Sequence, residues 1–208
     1  MKVVELEQGT PEWLAWRRQG FGASDAPLLV HGKHYDRTYE GLIASMITQI
    51  DNPIPSNWAM EQGKLFEPQA RRWFEETYHV KAPPICCEHE DYPYIRASLD
   101  GWVAEKNILL EIKYASKEAH QDALNRKVPS KYVPQLTHQV LASGVSKIYY
   151  ISGNPRFSAD ERITSVPFTP GEELLHDMLR RLQISWQAVQ NQEPITFAEL
   201  QRQLGHTK

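Results

Sequence analysis

The chain has 208 residues and a mass of 24.0 kDa, a length typical of one domain. Hydrophobic residues make up 41% and charged residues 24% of the sequence, which excludes a disordered chain. The net charge of −3 excludes a uniformly basic nucleic-acid-binding surface, although an acidic protein can still carry a local cationic groove.

Several classes of protein are excluded by what the sequence lacks. No apolar run is long enough to span a membrane, and the first ten residues have neither the basic nor the apolar region of a signal peptide. The two cysteines, Cys86 and Cys87, are adjacent, so they favour neither an unstrained disulfide nor a zinc ribbon. We therefore expect reduced thiols, a cytoplasmic location and no membrane partner.

The first half of the chain is predicted to be mainly helical. Thr10, placed before a proline and an acid, predicts a helix start, and Ser24 or Asp25 can cap a second short helix. Two prolines predict a loop over residues 51–57, and Pro68 predicts a kink or restart in the helix that contains it. The spacing of apolar residues predicts further helices over residues 38–50, 58–78, 117–126, 131–143 and 171–190.

The apolar period changes to that of strands in the middle of the chain. Residues 92–103 and 108–113 read as two strands joined by a polar turn. Two more strands, which we expect to be neighbours, are predicted over residues 147–152 and 162–167. The order of elements predicts an α/β or α+β fold, with a small central mixed sheet flanked by helices in one domain.

The C-terminal region, residues 170–208, has a final helix and a tail from Glu193. The helix can either close the core or contact another protomer. The tail can be either a docking segment or a frayed end.

The residues that carry chemistry lie on the two central strands. Glu111 stands between Leu110 and Ile112, where an unpaired carboxylate would be costly, and strand alternation puts it on the same face as Lys113. Antiparallel pairing through the short turn brings Asp100 towards Glu111. Two carboxylates with an ammonium suit a divalent cation and phosphodiester hydrolysis. On the spacing alone, an edge hairpin with a surface Glu–Lys pair explains the pattern better.

Residues 98–101 (SLDG) and 111–113 (EIK) resemble the core of the PD-(D/E)XK nucleases, which implies a restriction-endonuclease-like fold. Leu99 departs from that pattern, since the family often has a proline there. Further blocks, taken in order, resemble the phage-type recombination exonucleases, the lambda exonuclease or YqaJ-like family. These blocks are residues 13–17 (WLAWR), 20–25 (GFGASD), 63–68 (GKLFEP), 128–129 (VP) and 132–139 (YVPQLTHQ). The resemblance covers roughly residues 11–145 and does not reach residues 170–208.

The resemblance implies a metal site. Asp100 and Glu111 would bind the metal, the main-chain carbonyl of Ile112 would be a further ligand, and Lys113 would be the catalytic lysine. Glu67 would complete the site directly or through water. Without the family, Glu67 reads as an ordinary surface glutamate before a proline.

The resemblance also implies groups that handle the DNA. Gln135 would position the water or the scissile phosphate, although its spacing alone fits a solvated helix amide. Arg17, Ser24 and Ser98 would bind a 5′-phosphate, because arginine grips phosphate with two donors and hydroxyls add further donors. Taken alone, Arg17 fits a surface salt bridge and Ser24 a plain N-cap.

Other candidates carry weaker signals. Lys131 and Tyr132 are candidates for contacts to the DNA backbone. The stretch 113–131 carries five basic and two acidic residues, which fits either a DNA-facing surface or a solvated helix. His138, one turn from Gln135, can point at the site, but the core or the surface explains it better. Four tryptophans on apolar stripes are assigned to the core rather than to base stacking: Trp13, Trp16, Trp73 and Trp186.

The function implied by the resemblance is a Mg²⁺-dependent exonuclease, with Mn²⁺ able to substitute. It would degrade linear double-stranded DNA from 5′ to 3′, release mononucleotides and leave a 3′ single-stranded tail for annealing-type recombination. A homotrimeric ring around double-stranded DNA ends, a single-strand-annealing recombinase as partner, and a phage or prophage setting in a bacterial host are implied as well. Two alternatives stay open: an endonuclease on the same core and a non-catalytic DNA-binding module. The intact Asp100, Glu111 and Lys113 argue against the module.

Overall fold

A computed structural model describes residues 1–50 and 58–206. The loop expected over residues 51–57 lies outside the described residues. The helices of the described part are α1 (Pro11–Arg17), α2 (Ala26–His31), α3 (Tyr39–Thr48), α4 (Trp58–Tyr78), α5 (Lys117–Leu124), α6 (Val133–Ser143), α7 (Glu172–Asn191) and α8 (Phe197–Gln203). The strands are β1 (Lys2–Val4), β2 (Phe21–Gly22), β3 (Lys33–His34), β4 (Arg37–Thr38), β5 (Ile85–Glu88), β6 (Ile95–Leu99), β7 (Gly101–Val103), β8 (Ile108–Tyr114), β9 (Lys147–Gly153) and β10 (Ile163–Phe168).

The strands form two four-stranded mixed sheets and a small hairpin. One sheet has the order β1-β5-β6-β2, the other the order β10-β9-β8-β7, and β3 pairs with β4. The pairs β2–β6 and β8–β9 are parallel, and the remaining pairs are antiparallel. This arrangement confirms the predicted mixed α/β fold with helices flanking the sheets.

The helix predictions agree with the structure, apart from one cap. Thr10 caps α1 by accepting a hydrogen bond from the backbone N–H of Trp13 at 3.2 Å. Asp25 is the N-cap residue of α2, but it makes no side-chain cap, because its side chain accepts from the N–H of Gly22, and Ser24 accepts from the side chain of Arg17 instead. Helix α4 continues through Pro68 without a restart.

The strand predictions need two corrections. The single strand expected over residues 92–103 is broken at Asp100, which is a bend between β6 and β7 and joins the two sheets. The short strands β1 to β4 and strand β5 were not predicted. Cys86 and Cys87, which were expected to be reduced, lie inside β5 as buried free thiols.

The C-terminal region closes the main core. Leu182 on α7, Leu200 on α8 and Leu204 after it are buried in the larger hydrophobic cluster. Thr196 and Glu199 form a capping box at the start of α8. The expectation of a frayed end is therefore wrong for this helix. None of the helices described here has the length and apolar composition needed to cross a bilayer.

Candidate active site

The break at Asp100 brings two carboxylates and an ammonium together. Gly101 pairs with Leu110 across the β7–β8 hairpin. Because the strands are antiparallel, Asp100, one residue before Gly101, lies at the level of Glu111, one residue after Leu110. Oδ2 of Asp100 accepts from the main-chain N–H of Ile112 at 2.7 Å. Nζ of Lys113 lies 2.5 Å from Oε1 of Glu111. A surface Glu–Lys pair is wrong for this hairpin, because Glu111 is only 2% exposed.

Helix α6 satisfies the buried carboxylate of Glu111. Gln135 donates from Nε2 to Oε1 of Glu111 at 2.6 Å, and Gln139, one turn later, donates from Nε2 to Oε2 at 2.5 Å. Gln135 is therefore an amide in contact with the site rather than a solvated one. Each oxygen of Glu111 has an amide donor, which offsets part of the cost of burying this charge.

Helix α4 brings a third carboxylate to the site through an arginine. Arg71 pairs with Glu67 one turn earlier on the helix, and its Nε donates to the main-chain oxygen of Asp100 at 2.6 Å. Because Arg71 contacts both residues, it positions Glu67 beside Asp100. Glu67 is thus an ion-paired residue at the edge of the site, not an isolated surface glutamate.

The electrostatics of the cluster favour a bound cation. Burial, with added repulsion from Glu111 and then Glu67, raises the pKa of Asp100 well above its usual range. Burial alone would lower the pKa of Lys113, but the negative charges of Glu111 and Asp100 outweigh it and raise that pKa. Crowded carboxylate oxygens are the ligands that hard divalent cations prefer, so the donor chemistry is that of a divalent-cation site. In the arrangement described, no three such metal-ligating side chains within residues 1–50 and 58–206 are close enough to enclose an ion.

The three residues of the predicted phosphate pocket lie around one indole ring. Nη2 of Arg17 donates to Oγ of Ser24 at 2.5 Å. Nε1 of Trp13 donates to Oγ of Ser98 at 2.8 Å, and the guanidinium of Arg17 lies 5.1 Å from the centre of the Trp13 ring. Strand β2 runs parallel to β6 with Gly22 opposite Arg96, which brings the segment after β2 towards Ser98. The assignment of Trp13 to the core alone is therefore wrong.

Of the remaining candidate residues, Lys131 and Tyr132 lie beside the active site, and His138 lies in the core. The ring of Tyr132 lies 4.9 Å from Nζ of Lys131 and 5.7 Å from Nζ of Lys113, so it stands between the exposed lysine and the active site. His138 is completely buried and faces the backbone oxygen of Arg96 at 3.0 Å, as expected for a core histidine.

The sequence reasoning missed Gln139 and Arg71. Each lies four residues after a predicted site residue on the same helix, Gln135 and Glu67 respectively. This i, i+4 spacing was the signal that could have identified both.

Comparison with known families identifies the same part of the chain. The sequence profile of the YqaJ-like viral recombinase domain matches residues 12–146, which is more than half of the chain. The protein YqaJ of Bacillus subtilis (strain 168) is 26% identical over 155 residues, covering 71% of this chain and 48% of YqaJ. The chain thus spans about half the length of this curated relative.

Solved structures share the fold. The alkaline exonuclease LHK-Exo of Laribacter hongkongensis, crystallised alone and in complex with dAMP, superposes with a TM-score of 0.76 at 21% identity. The match covers 94% of this chain and 98% of LHK-Exo. A phage-related exonuclease of Haemophilus somnus 129PT superposes with a TM-score of 0.63 at 12% identity, over 83% of this chain and 94% of that protein.

Proposed function

Because the chain belongs to the family of YqaJ-like viral recombinase domains, we propose that it is a Mg²⁺-dependent exonuclease that degrades linear double-stranded DNA from its 5′ ends. The observation that carries the proposal is the convergence of Asp100, Glu111 and Lys113 beside the cluster of Arg17 and Ser98. The fold shared with two proteins described as exonucleases supports a nuclease in particular.

The spacing along β6 supports cleavage one nucleotide from the end. Ser98 is the last residue but one of β6 and Asp100 is the bend that follows it, so two residues of chain separate them by at most roughly 7 Å. This separation is comparable to the spacing of adjacent phosphates in one DNA strand. A terminal 5′-phosphate held at Ser98 would therefore leave the next phosphate at Asp100, and cleavage there would release a mononucleotide.

The residues around Asp100 would divide the work of hydrolysis. Asp100, Glu111 and the main-chain carbonyl of Ile112 would hold Mg²⁺, with Glu67 completing the site directly or through water. When bound, the ion polarises the scissile phosphate and lowers the pKa of water. The ammonium of Lys113 would donate a hydrogen bond to the phosphoryl oxygen, where negative charge develops.

One amide group and one guanidinium group would orient the substrate. Gln135, which contacts Glu111, would align the attacking water or the scissile phosphate. Arg17, supported by Ser24, would hold the 5′-phosphate through its two parallel donors. A pocket of this kind would set the direction of digestion, because only a 5′ end carries a terminal phosphate of the right polarity.

The larger assembly is part of the same proposal. We infer a homotrimeric ring around the DNA, in which acidic surfaces face solvent and Lys131 with its basic neighbours faces the channel. The 3′ single-stranded tail left by digestion would be the substrate of a single-strand-annealing recombinase. The resemblance to the phage-type exonucleases supports both statements.

Digestion of defined DNA substrates tests the proposal. Linear duplexes carrying either 5′-phosphate or 5′-hydroxyl ends, and a covalently closed circle, would be incubated with the full chain in Mg²⁺ or in chelator. We expect Mg²⁺-dependent release of mononucleotides from phosphorylated 5′ ends, with the circle intact. Cutting of the circle would replace the proposal with an endonuclease, and binding without cutting would favour a non-catalytic DNA-binding module.

A further inference from the structure

The hairpin of β3 and β4 presents an aromatic ring to solvent at its tip. His34 pairs with Arg37, so the two-residue turn between them consists of Tyr35 and Asp36. Tyr35 is 76% exposed, the largest exposed fraction among the large hydrophobic side chains of the described residues. Within the described residues its ring contacts that of His34, with centroids 4.4 Å apart in an edge-to-face arrangement.

The backbone at Tyr35 is also in an unfavourable conformation. Its φ of 51° is in the left-handed region, which favours glycine and asparagine and is uncommon for a bulky side chain. A tyrosine at this turn position is less favourable than glycine or asparagine, and it also leaves an apolar ring exposed to water. Local sequence choices that oppose stability tend to occur where a residue serves function.

The hairpin is tied to the phosphate pocket through Arg37, the residue that directly follows its turn. Nη2 of Arg37 donates to Oδ1 of Asp25 at 2.8 Å, while Oδ2 of Asp25 accepts from the N–H of Gly22 at 3.1 Å. Asp25 directly follows Ser24, which receives the hydrogen bond of Arg17. The hairpin therefore stands beside the predicted site of the 5′-phosphate.

The charge around the hairpin is mainly positive. Burial first, and then the positive charges of His31, Arg37, Lys131 and Lys113, lower the pKa of His34. Asp25 is paired with Arg37, Asp36 lies in the exposed turn, and Glu40 lies in the first turn of the helix that follows the hairpin. An exposed ring next to a histidine that feels these positive charges suits a ligand that combines aromatic faces with phosphates, which is the chemistry of a DNA strand.

We propose that Tyr35 is a stacking platform for an unpaired nucleobase at the DNA end, placed by the β3–β4 hairpin next to the 5′-phosphate pocket. The inference rests on the proposed function and names one contact within it. Stacking on an aromatic ring accepts any base, so the platform would hold a terminal base apart from its complement without sequence preference.

Fluorescence of a base analogue tests the stacking directly. A 5′-phosphorylated duplex with 2-aminopurine as its 5′-terminal base would be titrated with the full chain, with Ca²⁺ replacing Mg²⁺ to prevent digestion. We expect the wild type and Tyr35→Trp to quench the fluorescence on binding. Tyr35→Ala should lose the quenching and bind about 10-fold more weakly, the usual effect of removing one stacking ring.

Two further variants separate stacking from stability. Tyr35→Asn suits the left-handed turn, so it should melt at a higher temperature than the wild type yet still lose the quenching. Leu174→Ala, which removes another exposed apolar side chain on α7, should leave quenching and affinity unchanged.

Wild-type quenching and affinity in Tyr35→Ala would overturn the inference alone. Failure of the wild type to bind any DNA would overturn the proposed function with it.

Discussion

Trp13 holds two members of the predicted phosphate pocket at once. Its indole N–H donates to Ser98, and its ring lies under the guanidinium of Arg17. Trp13 is thus a positioning residue, which acts on the phosphate through the two side chains that would touch it.

Replacing Trp13 with phenylalanine tests this role. Trp13→Phe keeps a ring against Arg17 but loses the hydrogen bond to Ser98, worth about 1 kcal/mol. We expect kcat/KM for 5′-phosphorylated ends to fall about 5-fold, with little change for 5′-hydroxyl ends. Trp73→Phe, a similar change on α4, serves as the control. An unchanged preference for phosphorylated ends in Trp13→Phe would show that the indole N–H does not support the pocket.

The sequence identified residues whose immediate neighbours indicate an unusual environment. It did not identify residues whose role depends on contacts with distant parts of the chain. Glu111 stood out because a carboxylate between two apolar residues demands an explanation. Trp13 did not, because its partner Ser98 is 85 residues away. Arg71 and Gln139 also contact partners 29 and 28 residues away, although their i, i+4 spacing from Glu67 and Gln135 was a local signal that the reasoning did not use.

At the scale of elements, helix α4 packs closely against the sheet β10-β9-β8-β7 because a glycine of that sheet leaves room for a side chain of the helix. A Cβ atom at Gly153 on β9 would lie 1.8 Å from Cζ of Phe66, so the ring occupies the space of a missing side chain. Phe66 directly precedes Glu67. The close approach of α4 to the sheet therefore also sets the distance of Glu67 from the active site.

Gly153→Ala should consequently damage both stability and activity. Moving Phe66 away from an added methyl group costs roughly 1–3 kcal/mol, so we expect a lower free energy of unfolding by denaturant titration and slower nucleotide release. Gly63→Ala provides the matched control, because a Cβ there meets no atom within 4 Å and alanine favours the helix. The account would be contradicted if Gly153→Ala unfolded at the same denaturant concentration as the wild type.

The elements that could be predicted are those long enough to show a period. Helices such as α3, α4 and α7 repeat their apolar residues over several turns, and the strands around Glu111 alternate clearly. The strands β2, β3 and β4 have two residues each, too few for any period. The bend at Asp100 was missed because apolar alternation continues through it.

At the scale of the whole molecule, helix α6 joins the two sheets. His138 on one side of the helix contacts Arg96 on β6, while Gln139 contacts Glu111 on β8. His138 is fully buried, and its Nδ1 has no hydrogen-bond partner among the described residues. Protonation of this ring would place a charge between the sheets that the nearby Asp25 offsets only in part.

The contribution of His138 to the stability of the protein should therefore be lost on mild acidification. Burial lowers the pKa of His138 from its ordinary 6.5 to about 4, although the nearby charge of Asp25 acts in the opposite direction. Because the folded state resists protonation, the stabilising contribution is complete above pH 6.5 and is lost as the pH falls towards 4. Between pH 7 and pH 4.5 the loss is about 2 kcal/mol.

His138→Gln isolates this contribution, because glutamine can still donate to Arg96 but does not titrate. We expect the variant to lose about 2 kcal/mol less than the wild type over the same pH interval, measured by urea unfolding. Parallel pH profiles for the two proteins would exclude His138 as the source of the acid sensitivity.

The most direct test of the catalytic centre compares two lysines on neighbouring strands. Lys113 lies beside Glu111 near the end of β8, whereas Lys147 begins β9 at the opposite end of the sheet, where it pairs with Ile108. Release of labelled nucleotides from a 5′-phosphorylated linear duplex in Mg²⁺ would be measured for the wild type, Lys113→Ala and Lys147→Ala. The account predicts that Lys113→Ala binds the duplex but releases nucleotides at least about 100-fold more slowly, while Lys147→Ala matches the wild type. Nucleotide release by Lys113→Ala at the wild-type rate would contradict the central claim.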